Sequence, residues 1–270
     1  MTQNILSRCI LIISLILLLA AFSTSSYAED ILCGGSYGGH LQGLDSDGED
    51  FIFWSFTVSI VKSDMQGNVL TTVDAPSHQG DMVYNDGRLY VAVNLGQFNQ
   101  EPGKADSWVY VYDADDLSLL AKHEIPELVH GAGGMAYGNG SFIVIGGLPV
   151  GYEENYAYEY DSSFTFVKRH VIESGYTIMG IQTACYADGL WLFGCYGYPE
   201  NCAMLVTDEF FNPVAELGTH SSVGIAELSG GRFLQGHSKE DDSTGKWTGK
   251  ARIIRYDRSL TGRFVNEKTR

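Results

Sequence analysis

Basic residues are scarce in this chain, prolines are few, and no long apolar run occurs beyond its first 28 positions. Lys and Arg number 17 against 33 Asp and Glu, a net charge of −16. A surface that negative repels phosphate backbones and anionic headgroups, which argues against nucleic acid as a partner. No stretch after residue 28 approaches the ~20 apolar residues of a membrane-spanning helix, so no span is expected in the mature chain. No CxxC occurs, which excludes a zinc ribbon or a thioredoxin-like redox site. Helical periodicity is almost absent after residue 29.

The apolar run that does occur, Ile10 to Phe22, follows Arg8 and precedes small residues ending Ser26-Tyr27-Ala28. That order is the pattern of a secretory signal peptide over residues 1–28, cleaved after Ala28. The expected mature chain, 29–270, is exported to the periplasm or the cell exterior. Cys9 lies too early for a lipoprotein cysteine, and there is no twin-Arg signal. Losing Arg8 from the 17 Lys and Arg leaves 16 against 33 acids. Cys33, Cys185, Cys195 and Cys202 remain, and an oxidising compartment permits a Cys195–Cys202 bridge across "CYGYPENC". Free buried thiols are the other reading.

What the mature chain has in quantity is short alternating runs of Tyr, Val, Ile and Phe between Gly, Asn and Asp turns. These runs repeat. A strand closing in an aspartate recurs at Asp64, Asp113, Asp161, Asp208 and Asp257, at intervals of 49, 48, 47 and 49. A hairpin precedes each, with its turn at Gly48, Gly87, Gly140, Gly189 or Gly231, where glycine supplies the positive φ that such turns require. Five units of four antiparallel strands, each too small to bury its own faces, predict an all-β fold, one five-bladed β-propeller over 29–270. "ILCGGSYG" at 31–38 is expected to complete the last blade.

"HLQGLDSDG" at 40–48, "DGRLYVAV" and "VYVYDADDLSLLAK" make the chain resemble the broad superfamily of repeat propellers that includes NHL-type, YVTN-type and glutamine-cyclotransferase-like proteins. The resemblance implies blades and carries no active-site residues with it, so function has to come from the site.

Propeller geometry turns sequence position into a side of the molecule. The turns on one face are short, whereas long connections at 94–107, 146–155, 195–201 and 237–250 lie on the other, upper face. Histidines gather there: His40, His78, His130 and His220 stand just ahead of innermost strands, Gln182 takes that place in the fourth unit, and His237 begins a long connection. His123 and His170 fall in outermost strands and are expected to be solvated. Imidazoles at the channel mouth, with Asp81 and Glu227 near by, suit a divalent metal, zinc through His40, His78, His130 and His220, or calcium through Asp81 and backbone carbonyls. The plainer reading is that they bond backbone groups at strand starts.

Trp54, Phe98, Trp108, Tyr152, Tyr176, Tyr196, Tyr198 and Trp247 are expected beside the upper connections, where rings stack on sugars. Trp191 is assigned to packing. "GGSYG" at 34–38 lacks the strand and helix of a nucleophile elbow, "GAGGMA" at 131–136 lacks the helix of a dinucleotide fingerprint, and "DSDGED" at 45–50 reads as a plain turn before a calcium loop.

Two functions stay open. As an enzyme, the protein is a hydrolase or lyase acting on a small carbohydrate-like substrate, with His78 or His130 as general base or metal ligand and Asp81 orienting. His40, Gln182, His220, His237, Trp108, Tyr152 and Tyr196 then hold the substrate. As a binding module, it recognises a glycan, peptide or protein at the same mouth without chemistry. The sequence sets no oligomeric state.

Overall fold

Alternation decides the fold, because the middle strands carry apolar residues on both faces and therefore need a neighbouring sheet on each side. The computed structural model describes residues 30–196, 204–257 and 263–266. Residues 1–29, which include the segment expected to be a signal peptide, and Tyr198 and Cys202 lie outside the described residues.

A short β1 (Asp30–Leu32) comes first. Blade one comprises β2 (Leu41–Ser46), β3 (Phe51–Phe56), β4 (Ser59–Asp64) and β5 (Val69–Asp74). Blade two comprises β6 (Gln79–Asn85), β7 (Arg88–Asn94), β8 (Ser107–Asp113) and β9 (Leu119–Glu124). Blade three comprises β10 (Ala132–Gly138), β11 (Ser141–Gly146), β12 (Asn155–Tyr160) and β13 (Phe166–Ile172). Blade four comprises β14 (Ile181–Ala187), β15 (Leu190–Cys195), β16 (Met204–Thr207) and β17 (Pro213–Leu217). In blade five, β18 (Ile225–Leu228), β19 (Arg232–Asp241) and β20 (Lys246–Asp257) are followed on the outer edge by both β1 and β21 (Arg263–Asn266). β1 pairs Asp30 with Arg252 and Leu32 with Lys250, while β21 pairs Asn266 with Ile254. The first and last described strands thus share one edge and close the ring. This is the expected five-bladed β-propeller, and no helix occurs among the described residues.

Five hydrophobic clusters fill the five seams between consecutive blades. On β3, Ile52, Trp54 and Phe56 pack toward blade five while Phe53 packs toward blade two. Burying each such side chain stabilises the fold by roughly 1.5–3 kcal/mol, so the seams hold the ring together. Trp54, expected beside the upper connections, is instead a seam residue: it is fully buried and its Nε1 donates to Ser63 Oγ at 2.9 Å. Trp191 packs as expected.

The recurring aspartates have a local cause. Asp64 Oδ1 accepts from the amides of Gln66 and Asn68, Asp161 Oδ1 from Ser163 and Thr165, and Asp208 Oδ1 from Phe210 and Asn212. Each closes the turn into the fourth strand. Gly48, Gly87, Gly140, Gly189 and Gly231 all have positive φ, and Asp47 Oδ1 gathers the amides of Glu49, Asp50 and Phe51, so "DSDGED" is a turn.

Two expectations are corrected. Residues 237–250 are the upper end of a long β19–β20 hairpin, whose ladder runs on from His237↔Lys250 to Asp241↔Lys246. His123 and His170 are half-buried: His123 stacks on Phe164 at 4.7 Å, and His170 bonds Glu159 at 2.7 Å and packs on Phe211.

Candidate functional site

The innermost strands β2, β6, β10, β14 and β18 surround the axis, and Asp81 closes it. Asp81 is fully buried on β6, and its Oδ2 accepts from the Ala184 amide of β14 at 2.9 Å. Blades two and four are not neighbours in the ring, so this bond crosses the axis. On the opposite side Gly43 lies against Asp81, where a Cβ would come within 2.1 Å of Oδ1. Burial pushes the Asp81 pKa well above the usual carboxylate range, against the pull of backbone amides. Asp81 therefore holds the centre of the ring and lines neither mouth.

Below Asp81, the ends of the inner strands form a cavity of about 170 Å³ lined by Asp45, Tyr84, Tyr137, Cys185, Tyr186 and Glu227, among others. Asp45 accepts from the amides of Tyr84 and Ser46 at 2.6 and 2.8 Å, and burial raises its pKa to about 7.

Above Asp81 lies the face that carries the histidines. A cavity of about 390 Å³ opens between blades four, five and one, lined by His40, Tyr196, His220, Ser222, Val223, Gly236, His237, Ser238 and Trp247. Among the described lining residues there is no carboxylate, ammonium or guanidinium. Trp247, just after the β19–β20 turn, packs its ring on His40 at 5.5 Å, and the Tyr37–Trp247 bridge fixes its backbone. Burial raises the Tyr196 pKa, which keeps the phenol neutral.

Beside the cavity a single amide joins two histidines. Gln42 Nε2 lies 3.2 Å from His40 Nε2, 3.0 Å from His78 Nε2 and 3.3 Å from Thr57 Oγ1. Thr57 donates its own proton to the His40 carbonyl, so its oxygen must accept from Gln42, which fixes the amide orientation. His40 Nδ1 donates to the Leu41 carbonyl at 2.8 Å, leaving Nε2 as acceptor. His78 follows a cis Ser77–His78 peptide and reaches the surface. The atoms packed about its ring, and then His40, hold its pKa below the ordinary histidine value.

The expected site residues thus divide. His40, His220, His237 and Tyr196 line one cavity, and His78 joins it through Gln42. His130 stands apart, buried, with Nδ1 bonded to the Gln100 carbonyl at 2.8 Å and its ring on Tyr152, whose hydroxyl donates to Glu101. Gln182 is buried and bonds the Met179 carbonyl at 2.6 Å. Trp108 donates to Asp106 at 2.6 Å and packs against the seam between blades one and two. Among the described residues no three His, Cys, Asp or Glu side chains form a set able to hold a metal ion. At His40 and His78 the reason is local: both Nε2 atoms lie against the Gln42 amide nitrogen, whose two protons are shared between them and Thr57 Oγ1. Cys33 and Cys185 are buried free thiols. Cys195 is buried, and the pairing expected of it involves Cys202, outside the described residues.

Gln42, Gln235, Ser222 and Ser238 were not singled out by sequence reasoning. A signal existed: glutamines recur at inner-strand starts as Gln42, Gln79 and Gln182, and Gln235 pairs with Ile225 at the same height.

No family model matches the chain, and no curated protein matches it. Solved structures do. A nidogen–laminin complex matches at 9% identity over 82% of this chain and 77% of that chain, with a TM-score of 0.50. A protein of unknown function from Bacteroides caccae matches at 14% identity over 87% of this chain and 92% of that one, TM-score 0.48. A gluconolactonase from Xanthomonas campestris matches at 15% identity over 74% and 68%, TM-score 0.46. At these identities the likeness is one of fold alone.

Proposed function

We propose that this protein, exported as its N-terminal segment implies, binds a small, uncharged, carbohydrate-like ligand in the upper cavity between blades four, five and one. One observation carries the reading: among the described residues the lining combines a half-buried Trp247, Tyr196, three imidazoles and two serine hydroxyls with no fully charged side chain. A ring face and several hydroxyl-sized partners match a sugar, which has apolar C–H faces and many O–H groups. The volume, about 390 Å³, falls within the range of small-molecule sites.

The hydrolase or lyase reading uses the same cavity. It is favoured by His237, which lines the cavity and whose pKa burial holds below the ordinary histidine value, so that the ring can accept a proton from a substrate. A panel of mono- and disaccharides, read for Trp247 fluorescence and for turnover on wild type and Trp247→Ala, tests both. Binding lost in Trp247→Ala is expected. A wild type that binds nothing in the panel, or a variant that binds as wild type does, rejects the cavity; turnover selects the enzyme reading.

A further inference from the structure

We infer that His237 presents the unprotonated Nδ1 of its ring to the upper cavity, so that the site selects ligands donating a hydrogen bond there, the hydroxyl of an uncharged polyol or sugar. The inference rests on the ligand-binding reading above and deepens it by naming the atom that discriminates among ligands.

A chain of obligatory hydrogen-bond roles carries it. The His220 carbonyl has only lone pairs to offer, so the Gln235 group bonded to it must be the amino end, Nε2. That turns Gln235 Oε1 the other way, where His237 Nε2 lies 3.3 Å from it. A carbonyl oxygen accepts only, so Nε2 carries the ring proton. A neutral imidazole holds one proton, and Nδ1 is therefore left with its lone pair free on a ring that lines the cavity. Gln235 is only 7% exposed, and this burial holds it in place.

The charges around the ring keep it neutral. Across the ladder on β20, Lys250 stands opposite His237 and Arg252 opposite Gln235. Both engage Asp30 of β1, at 3.1 and 2.9 Å, so two cations share one carboxylate. His220 approaches from the connection ahead of β18, His40 from that ahead of β2, and Lys239 follows two positions along β19. Burial first, then Lys250 and Arg252, hold the His237 pKa below the ordinary histidine value, while Asp30 pulls the other way. A carboxylate ligand would meet the Nδ1 lone pair head-on, and an ammonium ligand would find no carboxylate among the described residues of the lining.

Long-range 1H–15N correlation of the histidine ring nitrogens in labelled protein, with His237→Phe as the assignment control, reads the tautomer directly. The neutral panel, with glucuronate and glucosamine as charged counterparts, is then titrated while the His237 nitrogens and Trp247 Nε1 are followed. The expected result is the Nε2–H tautomer in the free protein, and a shift of His237 Nδ1 with every neutral sugar that shifts Trp247. Binding should weaken as the pH falls through the His237 pKa, since protonation fills Nδ1. Gln235→Leu should weaken binding roughly two- to tenfold, the range of one hydrogen bond, and let the second tautomer appear. An Nδ1–H tautomer overturns the inference. So does a Trp247 response without one at His237, or equal binding of the charged sugars, although either leaves the cavity as a ligand site. Silence at both positions overturns the ligand reading and this inference with it.

Discussion

Replacing Asp45 by Asn should flatten the pH dependence of stability. Asp45 lines the lower cavity, and burial, with Asp47 and Glu227 near by, raises its pKa from 3.8 to about 7. A carboxyl whose pKa is higher folded than unfolded contributes stability that is fully present below the unfolded value. That stability is lost as pH rises through the folded value. The window is therefore pH 4 to 8, with the protein more stable at the acid end. A shift of this size corresponds to at most about 4 kcal/mol. Because Asp45 is only half-buried and its cavity opens to water, we expect about half of that, ~2 kcal/mol. For a domain of this length that is roughly 4–8 °C in Tm. Urea unfolding of wild type and Asp45→Asn across this window, at equal m-values, measures the difference in slope and is indifferent to any fixed cost of the amide. If the two proteins lose the same stability between pH 4 and 8, the carboxyl is not desolvated and the reasoning fails.

Gly43→Ala should be severe, since its Cβ would stand 2.1 Å from Asp81 Oδ1 and 2.4 Å from Asp81 Cα. Overpacking against backbone takes the upper end of its usual cost, about 3 kcal/mol, or roughly 6–12 °C in Tm; a fall under about 2 °C by calorimetry would show that the axis is not close-packed. Asp30→Ala should have a pH signature opposite to that of Asp45→Asn. The Arg252 and Lys250 side chains lower the Asp30 pKa to about 2, so its contribution is present above pH 4 and fades as pH falls toward 2. With the side chain 31% exposed, solvent screening leaves about 1 kcal/mol at neutral pH. Equal stability of the two proteins at pH 7 would mean that β1 does not fasten blade five through these ion pairs.

The fold was legible because its markers act locally. Asp64, Asp161 and Asp208 each bind amides two and four residues on, and Gly87, Gly140 and Gly189 each turn a hairpin between strands adjacent in sequence. Such features repeat at the blade period whatever the seams contain. Trp54 was misplaced because its fate is not local: alternation along β3 sends it into the seam with blade five, and the residues it meets there include Leu234, far along the chain.

The site was legible by face and not by partner. Sequence position puts His40, His78, His130 and His220 ahead of inner strands and His237 at the start of a long connection; of these His40, His220 and His237 line one cavity, and His130 stands apart. Which of them share a cavity depends on side-chain roles that a single sequence does not display. Gln42 ties His40, His78 and Thr57 together through its donor nitrogen, and Gln235 links His220 to His237 by donating to one and accepting from the other. Asp81 explains why the cavity lies off the axis at all. A five-bladed ring is narrow, and a carboxyl reaching from blade two to the Ala184 amide of blade four fills its centre. The axis is therefore closed at Asp81, and the upper cavity lies instead at the seam beside blade five, where the β19–β20 hairpin extends beyond the ring and carries Trp247 over His40.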